Sequence, residues 1–318
     1  MSPLTKKIVS LVIPFYNEAV GVEDFFVVVN QALVASYDSY DFEFVCVNDG
    51  SSDETLVKLR EQAQLYPQIV IVDLSRNFGK EAALTAGIDI ACGDAIIPID
   101  SDLQDPPELI VDMLKAWEEG YEVVLAKRSD RRTDSFLKRS TALWFYRTHN
   151  AVSKPSIPEN VGDFRLMDRC VITALQQMPE QQRFMKGLFA WVGFKTTTIE
   201  YSRQQRHAGD SKFSGWKLWN FAIEGITSFS IAPLKLWTYI GGLGALVAMF
   251  YALYIVFSTL ILGVEVPGYA SLLVTIIFFG SLQLLSIGIL GEYIGRIYME
   301  AKRRPIYIVR EVFRNKED

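Results

Sequence analysis

Two aspartates one residue apart, Asp100 and Asp102, end an apolar run of strand length, Ile96-Ile97-Pro98-Ile99. In an open parallel sheet, ligands bind beyond the carboxyl ends of the strands, so these carboxylates would stand at the mouth of a crevice. A divalent cation that bridges phosphates takes one or two carboxylates and keeps its other positions for phosphate oxygens and water. Asp100 and Asp102 suit that arrangement. By itself the pair reads more readily as a solvated acidic turn, so its meaning depends on what stands beside it. After it, Asp105 looks like a helix N-cap, Pro106 and Pro107 open the helix, and Glu108 makes its first turn acidic.

The pattern of an apolar run ending in polar residues repeats along the chain. Residues 8–14 end in Phe15-Tyr16-Asn17-Glu18, residues 42–47 in Asn48-Asp49-Gly50, and residues 69–74 lead into Arg76-Asn77-Phe78-Gly79-Lys80. Each run reads as a buried strand. Helical spacing follows the first through Phe25, Phe26, Val29 and Leu33, and Ser51 with Glu54 fits a capping box for the next helix. Ala82, Ala83, Ala86 and Gly87 make a small-residue helix able to pack close to a sheet. Residues 123–126 and 196–201 read as further strands, and residues 168–178 as a helix. Strands alternating with helices predict an α/β fold with a doubly wound, mostly parallel sheet. Asn17/Glu18, Asp49, Asn77/Lys80 and Asp100/Asp102 would then share one rim. No Gly-x-Gly-x-x-Gly follows the first strand and no Gly-Lys-Ser/Thr loop occurs, which disfavours a dinucleotide fold and a P-loop.

A chain of 318 residues has room for one large domain or two smaller ones, and half of it is hydrophobic at a net charge of -5. That balance argues against a generally basic nucleic-acid binder and against disorder. Cys46, Cys92 and Cys170 lie far apart and read as core thiols in a reducing compartment, with neither zinc spacing nor a disulfide framework. His149 and His207 are too few for a metal cluster. The first residues lack the apolar core of a secretory signal, so the first domain is expected in the cytosol.

The second half changes character. Between residues 128 and 152, Arg128, Arg131, Arg132, Lys138, Arg139 and Arg147 mix with Phe136, Trp144, Phe145 and Tyr146, as in a basic amphipathic helix for a membrane surface or a partner groove. Residues 206–213 read as a flexible basic loop, and Phe213, Trp216, Trp219, Ile223, Ile226 and Phe229 then fall at helical spacing as an apolar stripe that would suit an interfacial helix. Residues 236–262 and 266–291 carry no charged side chain, and each stretch exceeds the ~20 residues needed to cross a bilayer. Lys235 precedes the first and Arg296, Lys302, Arg303 and Arg304 follow the second, which puts both termini in the cytoplasm. Gly241, Gly242, Gly244, Ala245, Gly280 and Gly288 permit close helix packing and point to a homo-oligomer. The expected division is a catalytic domain over residues 1–210, juxtamembrane helices over 211–234, two transmembrane helices over 235–292 and a basic tail over 293–318.

Residues 9–18 (Val-Ser-Leu-Val-Ile-Pro-Phe-Tyr-Asn-Glu), 47–55 (Val-Asn-Asp-Gly-Ser-Ser-Asp-Glu-Thr), Arg76-Asn77-x-Gly79 and Asp100-Ser101-Asp102 together resemble glycosyltransferase family 2, with its GT-A fold. Gly162-Asp163-Phe164-Arg165, the loop from Arg206 to Phe213 and the C-terminal hairpin narrow the likeness to polyisoprenyl-phosphate glycosyltransferases. The resemblance implies inverting transfer of a sugar from a nucleotide diphosphate to a lipid phosphate, glucose from UDP-glucose to undecaprenyl phosphate being favoured, with GDP-mannose or UDP-GlcNAc as the alternative donor because relatives using other sugars share the same motifs. It implies that Pro14, Tyr16, Glu18 and Asp49 hold base and ribose, that Asp100 and Asp102 engage ribose and metal, and that Gln104 adds a ligand to Mg²⁺ or Mn²⁺. It further implies Lys80, Arg206 and Lys212 on the diphosphate, Arg128 with Lys138 or Arg139 on the acceptor phosphate, and Asp163 beside the acceptor. The enzyme would then sit in the plasma (inner) membrane with its catalytic domain cytoplasmic, among membrane lipids and without nucleic acid. A processive polysaccharide synthase is the competing enzyme reading, from a partial likeness of Gln182-Arg183-Phe184 to a Gln-x-x-Arg-Trp motif; a catalytically dead membrane scaffold is the other.

Overall fold

The computed structural model describes residues 6–129, 161–178, 180, 183, 185–201, 232–262 and 268–315. Eight strands among them form one sheet: β1 (Lys7–Phe15), β2 (Tyr40–Asn48), β3 (Ile69–Leu74), β4 (Ala95–Pro98), β5 (Val123–Arg128), β6 (Val161–Asp168), β7 (Thr196–Tyr201) and β8 (Val309–Arg314). Their spatial order is β7-β5-β6-β4-β1-β2-β3-β8. β4, β1, β2 and β3 run parallel, as do β5 and β7. β6 is antiparallel to both of its neighbours, and β8 is antiparallel to β3. The sheet is therefore more mixed than the mostly parallel expectation. β6 and β8 escaped the sequence reading because charged residues interrupt both, so neither shows the continuous apolar run of a buried parallel strand.

Alternation along the strands builds two cores. Leu11 and Ile13 on β1 and Phe44 on β2 face one side, where α1 (Val22–Leu33), α2 (Thr55–Leu65) and α4 (Leu109–Glu118) deliver Phe25, Phe26, Leu59, Met113 and Trp117. Val12, Val45 and Val47 face the other side, covered by α3 (Lys80–Ile90), α5 (Arg169–Gln176) and α6 (Met185–Trp191) through Leu84, Ile88, Val171, Leu175 and Leu188. Helices on both faces make the sheet doubly wound, and the period of two in side-chain direction is what sends neighbours to opposite cores. α3 sits very close to the sheet, as its small residues predict. A Cβ at Gly87 would lie 2.3 Å from Val12 Cγ1 and 3.0 Å from Val47 Cγ2.

Three local expectations are corrected. Ser51 does not cap α2: its Oγ accepts the Asn17 N–H at 3.0 Å, and Asp53 accepts the Thr55 N–H at 3.0 Å instead. Asp105 does not cap α4, which starts at Leu109 after a turn in which the Leu109 N–H reaches the Pro106 carbonyl at 3.2 Å. The Asp105 carboxylate is instead engaged by Tyr201 and Arg128. Finally, only Cys46 is a core thiol, whereas Cys92 and Cys170 are exposed at loop and helix-start positions.

Two long helices follow, α7 (Ala232–Leu262) and α8 (Tyr269–Ala301). Leu243, Phe250, Tyr254, Leu272, Leu284 and Ile294 on them are exposed. Among the described residues, one segment, Phe278–Ala301 with mean hydropathy 1.3, is long and apolar enough to cross a membrane by length and composition.

Candidate active site

A cleft of about 270 Å³ opens beyond the carboxyl ends of β1, β2 and β4, against the first turn of α3. Pro14, Tyr16 and Glu18 enter it from β1, Asp49 from β2, Lys80 from α3, and Asp100 and Asp102 from β4. Glu18, Asp49, Lys80, Asp100 and Asp102 stand on one rim as the strand ends predict, Pro14 and Tyr16 were named by the resemblance alone, and parallel strands in register bring all seven together. Asn77 and Gly79 complete this wall.

The loops that hold these residues are tied to one another. Asn17 takes a left-handed conformation (φ 54°), which Asn tolerates better than most residues. Its Oδ1 accepts the Ser52 N–H at 2.8 Å, and the Glu18 N–H donates to Thr55 Oγ1 at 2.9 Å. The Asp49 carboxylate accepts the Phe78 and Gly79 N–H groups at 2.7 and 3.0 Å, which clamps the 76–79 loop to the end of β2. Burial pushes the Asp49 carboxyl above its usual range, and the two N–H donors offset this only in part. Gly50 has φ +62°, and a Cβ there would lie 2.3 Å from the Arg76 carbonyl carbon, so the two loops touch backbone to backbone.

Lys80 bridges two carboxylates from different strands. Its Nζ lies 2.7 Å from Asp100 Oδ1 and 2.9 Å from Asp163 Oδ2. Asp163 reaches the cleft because β6 runs antiparallel beside β4. Burial disfavours the Lys80 ammonium, but the two carboxylates outweigh it and raise its pKa. Burial also raises the pKa of Asp100; Lys80 pulls it down, while Asp163 and Asp102 push it up. Asp102 is exposed on the rim, and its Oδ1 accepts the Gln104 N–H at 3.2 Å. The turn is made at Leu103, with φ +52°. The Gln104 side chain is buried behind the rim, and its Nε2 has no hydrogen-bond partner among the described residues.

Arg128, at the end of β5, is anchored. Its Nε donates to Tyr201 Oη at 3.1 Å, its guanidinium lies 3.5 Å from Asp105 Oδ1, and the Tyr201 hydroxyl donates to the same Asp105 oxygen. Sequence reasoning missed Asp105 and Tyr201 as a pair, because nothing in their spacing announces that β7 lies beside β5. Arg206, Lys212, Lys138 and Arg139, together with Trp216 and Trp219, lie outside the described residues.

The charge of the cleft bears on a metal. Glu18, Asp49, Asp100 and Asp102 line it against the one ammonium of Lys80 among the described lining residues. Among the described residues, no group of three or more His, Cys, Asp or Glu is placed to hold a metal ion by itself. Asp100 and Asp102 offer hard oxygen donors, one of them exposed, on a surface with excess negative charge. Such a pair fits a divalent cation that a diphosphate would complete.

A glycosyl transferase family 2 model matches residues 10–175. The prophage bactoprenol glucosyl transferase homolog of Escherichia coli K12 is 53% identical, over 96% of this chain and 99% of that protein. The bactoprenol glucosyl transferase of Shigella phage SfV is 52% identical over 95% of this chain and 98% of that protein. Among solved structures, a mannosyltransferase from Pyrobaculum calidifontis in complex with GDP-Man and Mn²⁺ aligns at 18% identity and TM-score 0.45, covering 70% of this chain and 62% of that one.

Proposed function

The chain belongs to glycosyl transferase family 2 and is a glycosyltransferase, and we propose that it transfers glucose from UDP-glucose to undecaprenyl phosphate, with inversion, at the cytosolic face of the plasma membrane. The carrying observation is the carboxylate rim of Asp49, Asp100 and Asp102 facing Lys80 and Asp163, in a chain similar over nearly its whole length to bactoprenol glucosyl transferases.

In this reading Pro14, Tyr16, Glu18 and Asp49 receive the base and ribose, Asp100 engages the nucleotide sugar beside them, and Asp102 with Gln104 holds Mg²⁺ or Mn²⁺. The ion would neutralise the diphosphate leaving group and orient it. Lys80 stands beside the diphosphate position, with Arg206 and Lys212 as further cations. Arg128 would meet the acceptor phosphate with Lys138 or Arg139, and the Asp105–Tyr201 anchor fixes its reach. A phosphate monoester has a second pKa of about 6, so the acceptor oxygen is already anionic at neutral pH. It needs alignment more than deprotonation. Asp163, held by Lys80 at 2.9 Å, is suited to align the acceptor and the sugar.

α7 and α8 form the two-span hairpin of this proposal, with both termini cytoplasmic, and the exposed apolar side chains along both helices support it. Residues 1–210 then form the catalytic domain, 211–234 the juxtamembrane helices, 235–292 the spans and 293–318 the tail, in a homo-oligomer.

The test is incubation of purified protein with undecaprenyl phosphate, Mn²⁺ or Mg²⁺ and a panel of UDP- and GDP-sugars. A glucosyl lipid formed from UDP-glucose, and lost in Asp102→Ala, is the expected result. Transfer of another sugar would change the donor, and polymer formation would favour the synthase reading. Nucleotide binding without turnover would favour the scaffold.

A further inference from the structure

A buried carboxylate outside the cleft links the C-terminal strand to both loops that shape it. Asp73, on β3, is 4% exposed, and its Oδ2 lies 3.2 Å from an Arg310 guanidinium nitrogen on β8. The other oxygen of Asp73 accepts from Asn48 Nδ2 at 2.7 Å. Asn48 is also buried, and its Oδ1 accepts the Ser51 N–H at 3.3 Å, closing the turn that presents Asp49. Arg310 also donates to the Ser75 carbonyl at 2.8 Å, just before the 76–79 loop. The Ser75 N–H donates to the Ile308 carbonyl at 2.9 Å, and Arg60 pairs with Glu311 at 2.7 Å, so β8 is docked along this edge.

We propose that Arg310 is a positioning residue for the nucleotide site. Through Asp73 and Asn48 it holds the 48–51 turn, and through Ser75 it holds the start of the 76–79 loop, so that Asp49 meets the Phe78 and Gly79 N–H groups at the cleft mouth. A buried carboxylate that loses its cation must find another partner or draw in water. Here the nearest polar partner is Asn48, so disturbance passes to the turn. The Arg310 side chain is 61% exposed, so the pair itself is screened; its effect is on geometry more than on global stability. The inference rests on reading the cleft as a nucleotide-sugar site.

The experiment uses the full chain in nanodiscs, with UDP and Mn²⁺ as the binding probe and UDP-glucose for kinetics. Arg310→Met should weaken UDP binding and raise KM for UDP-glucose about five- to tenfold, with kcat within about twofold, the scale of one ordinary hydrogen bond. Amide exchange should quicken at residues 48–51 and 76–79. Arg310→Lys should recover part of the loss. Adding Asp73→Asn to Arg310→Met should recover most of it, because no buried charge is then left unpaired. A lower Tm with native UDP affinity and native exchange at 48–51 and 76–79 would overturn the proposal, as would loss of kcat at unchanged KM. If the native chain binds no UDP, the donor reading fails; the exchange data still decide whether Arg310 holds the two loops.

Discussion

Among the described residues that line the cleft, the Lys80 ammonium stands between Asp100 and Asp163, and Asp102 and Asp49 bring further carboxylates to the same rim. Asp100 records this as a pKa raised by burial and by its acidic neighbours, against the pull of Lys80. A carboxyl whose pKa is raised on folding binds its proton more tightly in the folded state. Its favourable contribution is complete below the unfolded pKa and is lost as pH rises through the folded pKa. Ionised Asp100 thus costs stability at neutral pH, where its proposed role on the nucleotide sugar needs it. Asp100→Asn should melt no lower than the native protein at pH 7 while losing transfer, and its advantage should shrink as pH falls toward the ordinary aspartate range. Thermal melts across pH check this, and a constant difference would sink it. Asp163 gives a second expectation. Asp163→Asn should cost about tenfold in kcat, short of the roughly 10²–10⁴-fold loss when a general base is removed, and less than Asp102→Ala. Near-total loss in Asp163→Asn with intact nucleotide binding would instead make it a base.

At the scale of elements, the close approach of α3 to the sheet sets where Lys80 stands, because Lys80 is the first residue of that helix. Gly87→Ala would place a methyl 2.3 Å from Val12 Cγ1, and overpacking of this kind costs about 1–3 kcal/mol. The expected outcome is a Tm lower by several degrees and a raised donor KM, as α3 shifts outward; an unchanged melt would show that Val12 yields freely. The small-residue pattern that located this contact was legible in the sequence, as were six of the eight strands and five of the seven cleft residues, because buried parallel strands announce themselves as apolar runs and their polar ends follow directly; Pro14 and Tyr16 were legible only through the family resemblance. β6 and β8 were not legible, since register with a partner, not their own composition, buries them. The same blindness hid the Arg128–Asp105–Tyr201 and Arg310–Asp73–Asn48 contacts. Each joins residues far apart in sequence whose meeting depends on strand order, which no local pattern encodes.

For the whole molecule, chain connectivity constrains the height of the cleft above a bilayer. α8 ends at Ala301 and β8 begins at Val309. The few residues between them can span at most about 25 Å when fully extended. β8 is hydrogen-bonded to β3, and β3 is followed directly by the loop that Asp49 clamps. If α8 crosses the membrane as proposed, the catalytic sheet is leashed to its cytosolic end, and a lipid-linked phosphate at the headgroup plane meets a cleft held within reach. Lengthening the leash should separate the two. Six Gly/Ser residues inserted between Arg304 and Pro305 should raise KM severalfold for undecaprenyl phosphate in liposomes, as effective concentration falls with linker length. Activity toward a short, water-soluble polyprenyl phosphate should stay near native, since that acceptor reaches the cleft from solution. Equal loss on both acceptors would mean that the insertion undocks β8 and damages the cleft itself. No loss on either would mean that the chain before α7 alone sets the height.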